Sequence, residues 1–177
     1  MTKPTLDSDM ETVKGRLLEP LLKPVEGERV EPLLETLKPD GSWPDVDYAD
    51  RSTVHWKPID HLNRLLRMAR AYVSPESALR NDARLREAAF RGLDCWLARD
   101  LRRQWWYEAI GVPGVLSQTL LLLDEGLSDA QRAKGLEIVG RATLSATGQN
   151  LVWMSLIVAR RGLLERDPDL VAAAFRR

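Results

Sequence analysis

Apolar residues recur at helical spacing through almost the whole chain, and each run is cut short by Pro, Gly or an acidic turn. Val13, Leu17, Leu18, Leu21 and Leu22 share one stripe in a helix expected over residues 8–22, and Pro24 ends it. Val30, Leu33, Leu34 and Leu37 make a second, short run closed by Lys38-Pro39-Asp40-Gly41. Pro58 suits the first turn of a helix through Leu62, Leu65, Leu66, Ala69 and Tyr72. Ser74-Pro75-Glu76 reads as the cap and first turn of the next, to about Asp100. Val112 to Leu123 is strongly apolar, Ser128-Asp129 caps a helix to about Ala146, and Leu151 to Leu164 is apolar on most sides. Asp167-Pro168 opens a last helix before Arg177. No alternating β-branched run appears, so no sheet is expected.

The connections between these runs are short, so consecutive helices are expected to pack as antiparallel hairpins. The expectation is one all-α domain over residues 1–177, with residues 1–25 as a peripheral helix. The last helix reaches the end of the chain without a cap, as in a truncated array. No exact internal repeat is visible, which argues against a regular solenoid.

Lys plus Arg and Asp plus Glu number 26 each, so net charge gives no argument for nucleic acid or an anionic membrane as partner. The balance hides a gradient, with acids in excess before residue 50 and bases in excess over residues 51–103. That middle third either offers a cationic face to an anionic ligand or pairs with the acidic third before it. The single Cys95 sits in an apolar helical stretch and reads as a small buried hydrophobe. The first residues hold no apolar signal segment, and no apolar run approaches the roughly 20 residues that span a bilayer. At face value the chain is expected to stay where it is made. His55 and His61, with no Cys or Glu partner at a ligand spacing, form no metal set, and no cofactor is expected.

Two short stretches carry the chemistry. The first is Gln104-Trp105-Trp106-Tyr107-Glu108-Ala109-Ile110-Gly111-Val112-Pro113. Adjacent residues on a helix point about 100° apart, so two neighbouring indoles do not enter one core from one position. Either both pack at a bent helix junction, or at least one lines a cleft. An exposed indole needs a partner, and the apolar face of a sugar ring is a fitting one. The second stretch is Thr147-Gly148-Gln149-Asn150. Gly148 permits a sharp turn, and Asn150 falls at the start of an apolar helix. Asn150 is there either a helix cap or an amide donor aimed into a cleft, where free backbone N–H groups favour a carboxylate.

Taken together, these stretches resemble polysaccharide lyase family eight, the lyases of hyaluronan, chondroitin and xanthan. That family carries N-W-W-x-x-E-I-G-x-P and, further on, T-G-A-N-x-x-D. The loop Asp40-Gly41-Ser42-Trp43-Pro44-Asp45-Val46-Asp47-Tyr48 is similar to an early segment of the same family. The resemblance implies part of an incomplete (α/α) toroid, a secreted lyase and an acidic polysaccharide as substrate. It implies that Trp105 and Trp106 line the cleft and stack on the polymer, and that Asn150 binds the uronate carboxylate at the cleavage site. The implied reaction is β-elimination. The family's proton-abstracting His and Tyr lie further along a longer chain, so the missing C-terminal part of the toroid is an implied partner. Three positions depart from the pattern: Gln104 for the first Asn, Ala109 for the Glu, and Trp153 for the final Asp.

The rival expectation is a non-catalytic helical scaffold that binds carbohydrate or protein. A prenyl-cyclising toroid is disfavoured, because the nearest match to its D-x-D-D motif, Asp45-Val46-Asp47-Tyr48, lacks the final acid.

Overall fold

The computed structural model describes residues 6–23 and 29–176. Residues 1–5 and 24–25 of the stretch expected as a peripheral helix lie outside them, as does Arg177. The remaining residues of that stretch are α1, Leu6–Leu22. There follow α2 (Glu31–Thr36), α3 (Ile59–Val73), α4 (Ala83–Arg99), α5 (Val112–Leu122), α6 (Asp129–Val139), α7 (Gly148–Glu165) and α8 (Pro168–Phe175). The described residues contain no strand.

The helices form antiparallel hairpins, α3 with α4, α5 with α6 and α7 with α8, arranged in two layers. One layer holds α3, α5 and α7 side by side, with α4, α6 and α8 as their partners, and α1 touches all three inner helices. Because the hairpins alternate direction, the starts of α3, α5 and α7 lie at one end of the bundle. The segments 37–58, 100–111 and 140–147 that lead into those starts gather there. The fold thus brings Asp40–Tyr48, the tandem tryptophans and Thr147–Asn150 to the same end.

Two helix limits differ from the sequence reading. Helix α4 starts at Ala83, capped by the Asp82 carboxylate on the Leu85 N–H, and not at Ser74. Ser74 instead ends α3, and its hydroxyl donates to the Leu22 carbonyl. Residues 74–82 run in successive turns, and Asn81 is left-handed at φ 58°, which breaks any helix running through it. Helix α6 stops at Val139, because Gly140 closes it and residues 140–147 cross to α7.

The core is built around Trp43, Trp56 and Trp96, all fully buried, with Leu62, Leu65, Leu93, Leu116 and Leu120 from facing helices. Gly41 is left-handed at φ 79°, and a methyl group there would strike the Arg91 carbonyl. The turn it makes drives Trp43 inward, where its indole N–H donates to the Leu33 carbonyl at 3.0 Å.

His61 is completely buried beneath this loop. Its Nε2 lies 2.9 Å from the Gly92 carbonyl, which only accepts, so Nε2 carries the proton. Nδ1 then accepts from the Tyr48 hydroxyl at 2.8 Å, and that hydroxyl accepts in turn from the Trp43 backbone N–H. Burial pushes the imidazole down to about 4, so it is neutral at ordinary pH.

Candidate functional site

The tandem tryptophans precede a widened helical turn, Tyr107–Gly111, that leads directly into α5. The Val112 N–H reaches back five residues to the Tyr107 carbonyl. Pro113 accounts for the widening: it has no N–H, and its ring would crowd the carbonyl of Ala109 in a regular turn. Gln104 starts the element, its side chain accepting from the Trp106 N–H at 3.3 Å. The Gln104 departure therefore serves as a local cap. Below it, the Tyr107 hydroxyl accepts from the Trp56 backbone N–H at 3.1 Å, and Arg103 donates to the Ser52 carbonyl. Loop 50–57 is thereby tied to the tryptophan segment.

The two indoles point different ways. Trp105 is 55% exposed. Trp106 is half-buried and folds over Gly111, where an added Cβ would lie 2.8 Å from its ring. Its ring lies near perpendicular to two others, Tyr107 at 5.3 Å and Trp153 at 6.1 Å between centroids. Neither of the two sequence-stretch tryptophans belongs to the fully buried core.

Asn150 stands in the first turn of α7, one turn before Trp153 on the same face. It is not the cap. That position belongs to Thr147, whose side chain makes no capping bond, and the turn is set by Gly148 at φ 58°. The first N–H groups of α7 thus remain open, and no described residue hydrogen-bonds the Asn150 amide. The helix start favours negative charge through its dipole and its free donors.

A groove of about 350 Å³ continues from Trp106 between α5 and α7. Its walls are Trp106, Ile110, Gly114 and Gln118 on one side and Trp153, Ile157 and Arg160 on the other. Neither Trp105 nor Asn150 lines this groove directly; both lie at the same end of the bundle as its aromatic mouth. Trp153 was singled out from the sequence only as a departure from the family pattern and Arg160 not at all, although their spacing from Asn150 along one helical face was readable.

Neither histidine is placed as a base beside this groove. His61 is sealed among Trp43, Tyr48 and Trp96, and His55 is exposed in loop 51–57 with left-handed backbone. Among the described residues no cluster of three His, Cys, Asp or Glu is placed to hold a metal, and no helix is long and apolar enough to cross a membrane.

Residues 16–177 match the N-terminal α-helical domain of polysaccharide lyase family 8. The chain belongs to that family. Chondroitinase-AC of Pedobacter heparinus is 31% identical over 173 residues, covering 94% of this chain and 25% of its own. Hyaluronate lyase of Thermasporomyces composti is 30% identical, over 95% of this chain and 22% of its own. A chondroitinase AC lyase solved in complexes with oligosaccharides superposes with a TM-score of 0.86 at 30% identity, covering 94% of this chain and 26% of that one. The family 8 domain accordingly has antiparallel hairpins of the (α/α) toroid kind. It spans about a quarter of the length of the relatives it matches.

Proposed function

We propose that this chain supplies the sugar-binding wall of a lyase that cleaves uronic-acid polysaccharide, of the hyaluronan, chondroitin or xanthan type, by β-elimination. Trp105 stacks on a sugar ring from the exposed side, and Trp106 lines the floor. Asn150 holds the uronate carboxylate at the open start of α7. The observation that carries this reading is the meeting of Trp106 and Trp153 one turn beyond an uncapped, unengaged Asn150.

The chemistry explains the demand for such a site. A C5 proton beside a carboxylate is a weak acid, because its removal places a second negative charge on that group. Neutral amide and backbone donors stabilise the developing enolate more than the ground state, and so lower the barrier. The C4–O bond then breaks, the leaving sugar takes up a proton, and an unsaturated uronic end remains. The base acts from outside this groove, since His61 is neutral, buried and engaged at both nitrogens.

The chain alone is therefore expected to bind acidic oligosaccharide weakly and to turn over little or none. Mixing it with hyaluronan, chondroitin or xanthan and following ultraviolet absorbance tests the second half of that expectation. Robust unsaturated product would mean that a base within these residues has been overlooked. Titration of Asn150→Ala with the same polymers tests the first half, and unchanged affinity would remove the carboxylate role.

A further inference from the structure

The groove between α5 and α7 has two unlike ends. Helices α5 and α7 lie side by side in the same layer and run in the same direction, so their residues pair as rungs. Trp106 faces Trp153 at the first rung. Gly114 faces Ile157 at the next, where an added Cβ would lie 3.7 Å from the Ile157 Cδ1. Gln118 and Arg160 follow, two helical turns past Trp153, or roughly 10 Å along the axis.

Arg160 is an unusual cation for such a place. Its Nε is buried and has no hydrogen-bond partner, and no acid pairs with it among the described residues. Arg91, whose Nε is also buried and unbonded, differs in having Glu87 at 3.3 Å. Neighbouring Arg161 has Glu165 at 2.8 Å. Burial with no counter-charge depresses the Arg160 guanidinium to about 10, which still leaves it charged at neutral pH. A desolvated charge without a partner is costly, and an incoming anion relieves that cost. The guanidinium also presents a planar fork matched to carboxylate or sulfate oxygens.

We propose that Arg160 is the anion anchor of this groove, holding a carboxylate or sulfate of an acidic sugar whose apolar ring face rests on Trp106 and Trp153. This rests on the sugar-binding reading above and adds a second charged contact, separate from Asn150. The groove then selects charged saccharides over neutral ones of the same shape. Gln118 stands beside the anchor, with its amide nitrogen already donating to the Gly114 carbonyl at 2.9 Å. Its remaining oxygen is an acceptor suited to a sugar hydroxyl.

The test uses the 177-residue chain, with hyaluronan tetrasaccharide, its carboxyl-reduced neutral form and chondroitin sulfate tetrasaccharide as probes, titrated by calorimetry. Arg160→Met is expected to bind the hyaluronan probe roughly tenfold more weakly, the size of one charge-assisted contact. Arg160→Lys should recover part of that loss, and the carboxyl-reduced probe should not distinguish the variants. A loss seen only with chondroitin sulfate identifies sulfate as the anchored group. Circular dichroism and melting check the fold, and Arg160→Met should melt no lower than the parent. If Arg160→Met binds every probe as the parent does, the anchor is wrong while the sugar-binding reading stands. If the parent binds none of the probes, both fall.

Discussion

The Trp153 indole stands at 87° to that of Trp106, with ring centroids 6.1 Å apart. Trp153 occupies the position where the resemblance to family 8 would place an aspartate after T-G-A-N. In this chain the ring completes an aromatic corner at the mouth of the groove. On the proposed reading, this corner offers stacking area beside the helix start without a negative charge that would repel an acidic sugar.

That corner separates the roles of the two neighbouring tryptophans. Trp105 is 55% exposed, so Trp105→Ala should change stability by no more than about 0.5 kcal/mol while weakening oligosaccharide binding. Trp106→Ala removes a ring packed on Tyr107 and Trp153 and should cost about 2 kcal/mol or more as well. Thermal melts paired with calorimetric titration separate the two effects.

Gly111 is the seat of the Trp106 ring. Gly111→Ala places a methyl group 2.8 Å from the indole and should push it out of the corner. We expect a loss of roughly 1–3 kcal/mol, the range for overpacking, together with weaker sugar binding. Near-ultraviolet circular dichroism should report the displaced ring, and an unchanged spectrum would contradict the packing described.

Gly41 anchors the other loop at this end. Gly41→Ala is strained by φ 79° and strikes the Arg91 carbonyl. It should destabilise by several kcal/mol, more than Gly111→Ala, because backbone does not yield as a side chain can. Denaturant midpoints for the two variants give the comparison.

The pH dependence of stability follows from His61. Its folded value is about 4, below the ordinary 6.5, so the unfolded chain takes up a proton first. Stability from this group is complete above 6.5 and is lost as pH falls through the window from 6.5 to about 4. Asp40, Asp45, Asp50, Asp100 and Asp124 are all held below the ordinary 3.8, so their contributions fade only at lower pH. Melting temperatures across both windows should show a first decline that His61→Leu flattens, at the expense of stability at pH 7. A decline unaffected by that substitution would place the proton elsewhere.

Much of this architecture was legible in the sequence. The helical period and the Gly and Pro breaks located each long helix, and short connections dictated the hairpins. The adjacency of Trp105 and Trp106 left two readings open, both rings packed at a bent junction or at least one lining a cleft, and the 55% exposure of Trp105 decides between them. The Ser74 cap failed because Asn81 and Asp82 offered a stronger start eight residues later, which local spacing alone does not rank. Asn150 read either as a cap or as a donor, and only the backbone at Gly148 decides that Thr147 holds the cap position. Arg160 was invisible for a different reason. An arginine on an apolar helix reads as a snorkelling side chain, and its lack of a partner is a property of the packing between α5 and α7.

The central claim is tested most directly by the indole N–H signals in a nitrogen-correlated NMR spectrum of the chain, titrated with an acidic oligosaccharide. Six tryptophans give six reporters. The account predicts that Trp105, Trp106 and Trp153 shift, while the buried Trp43, Trp56 and Trp96 stay in place. Shifts confined to the buried three, or none at all at saturating oligosaccharide, would contradict it.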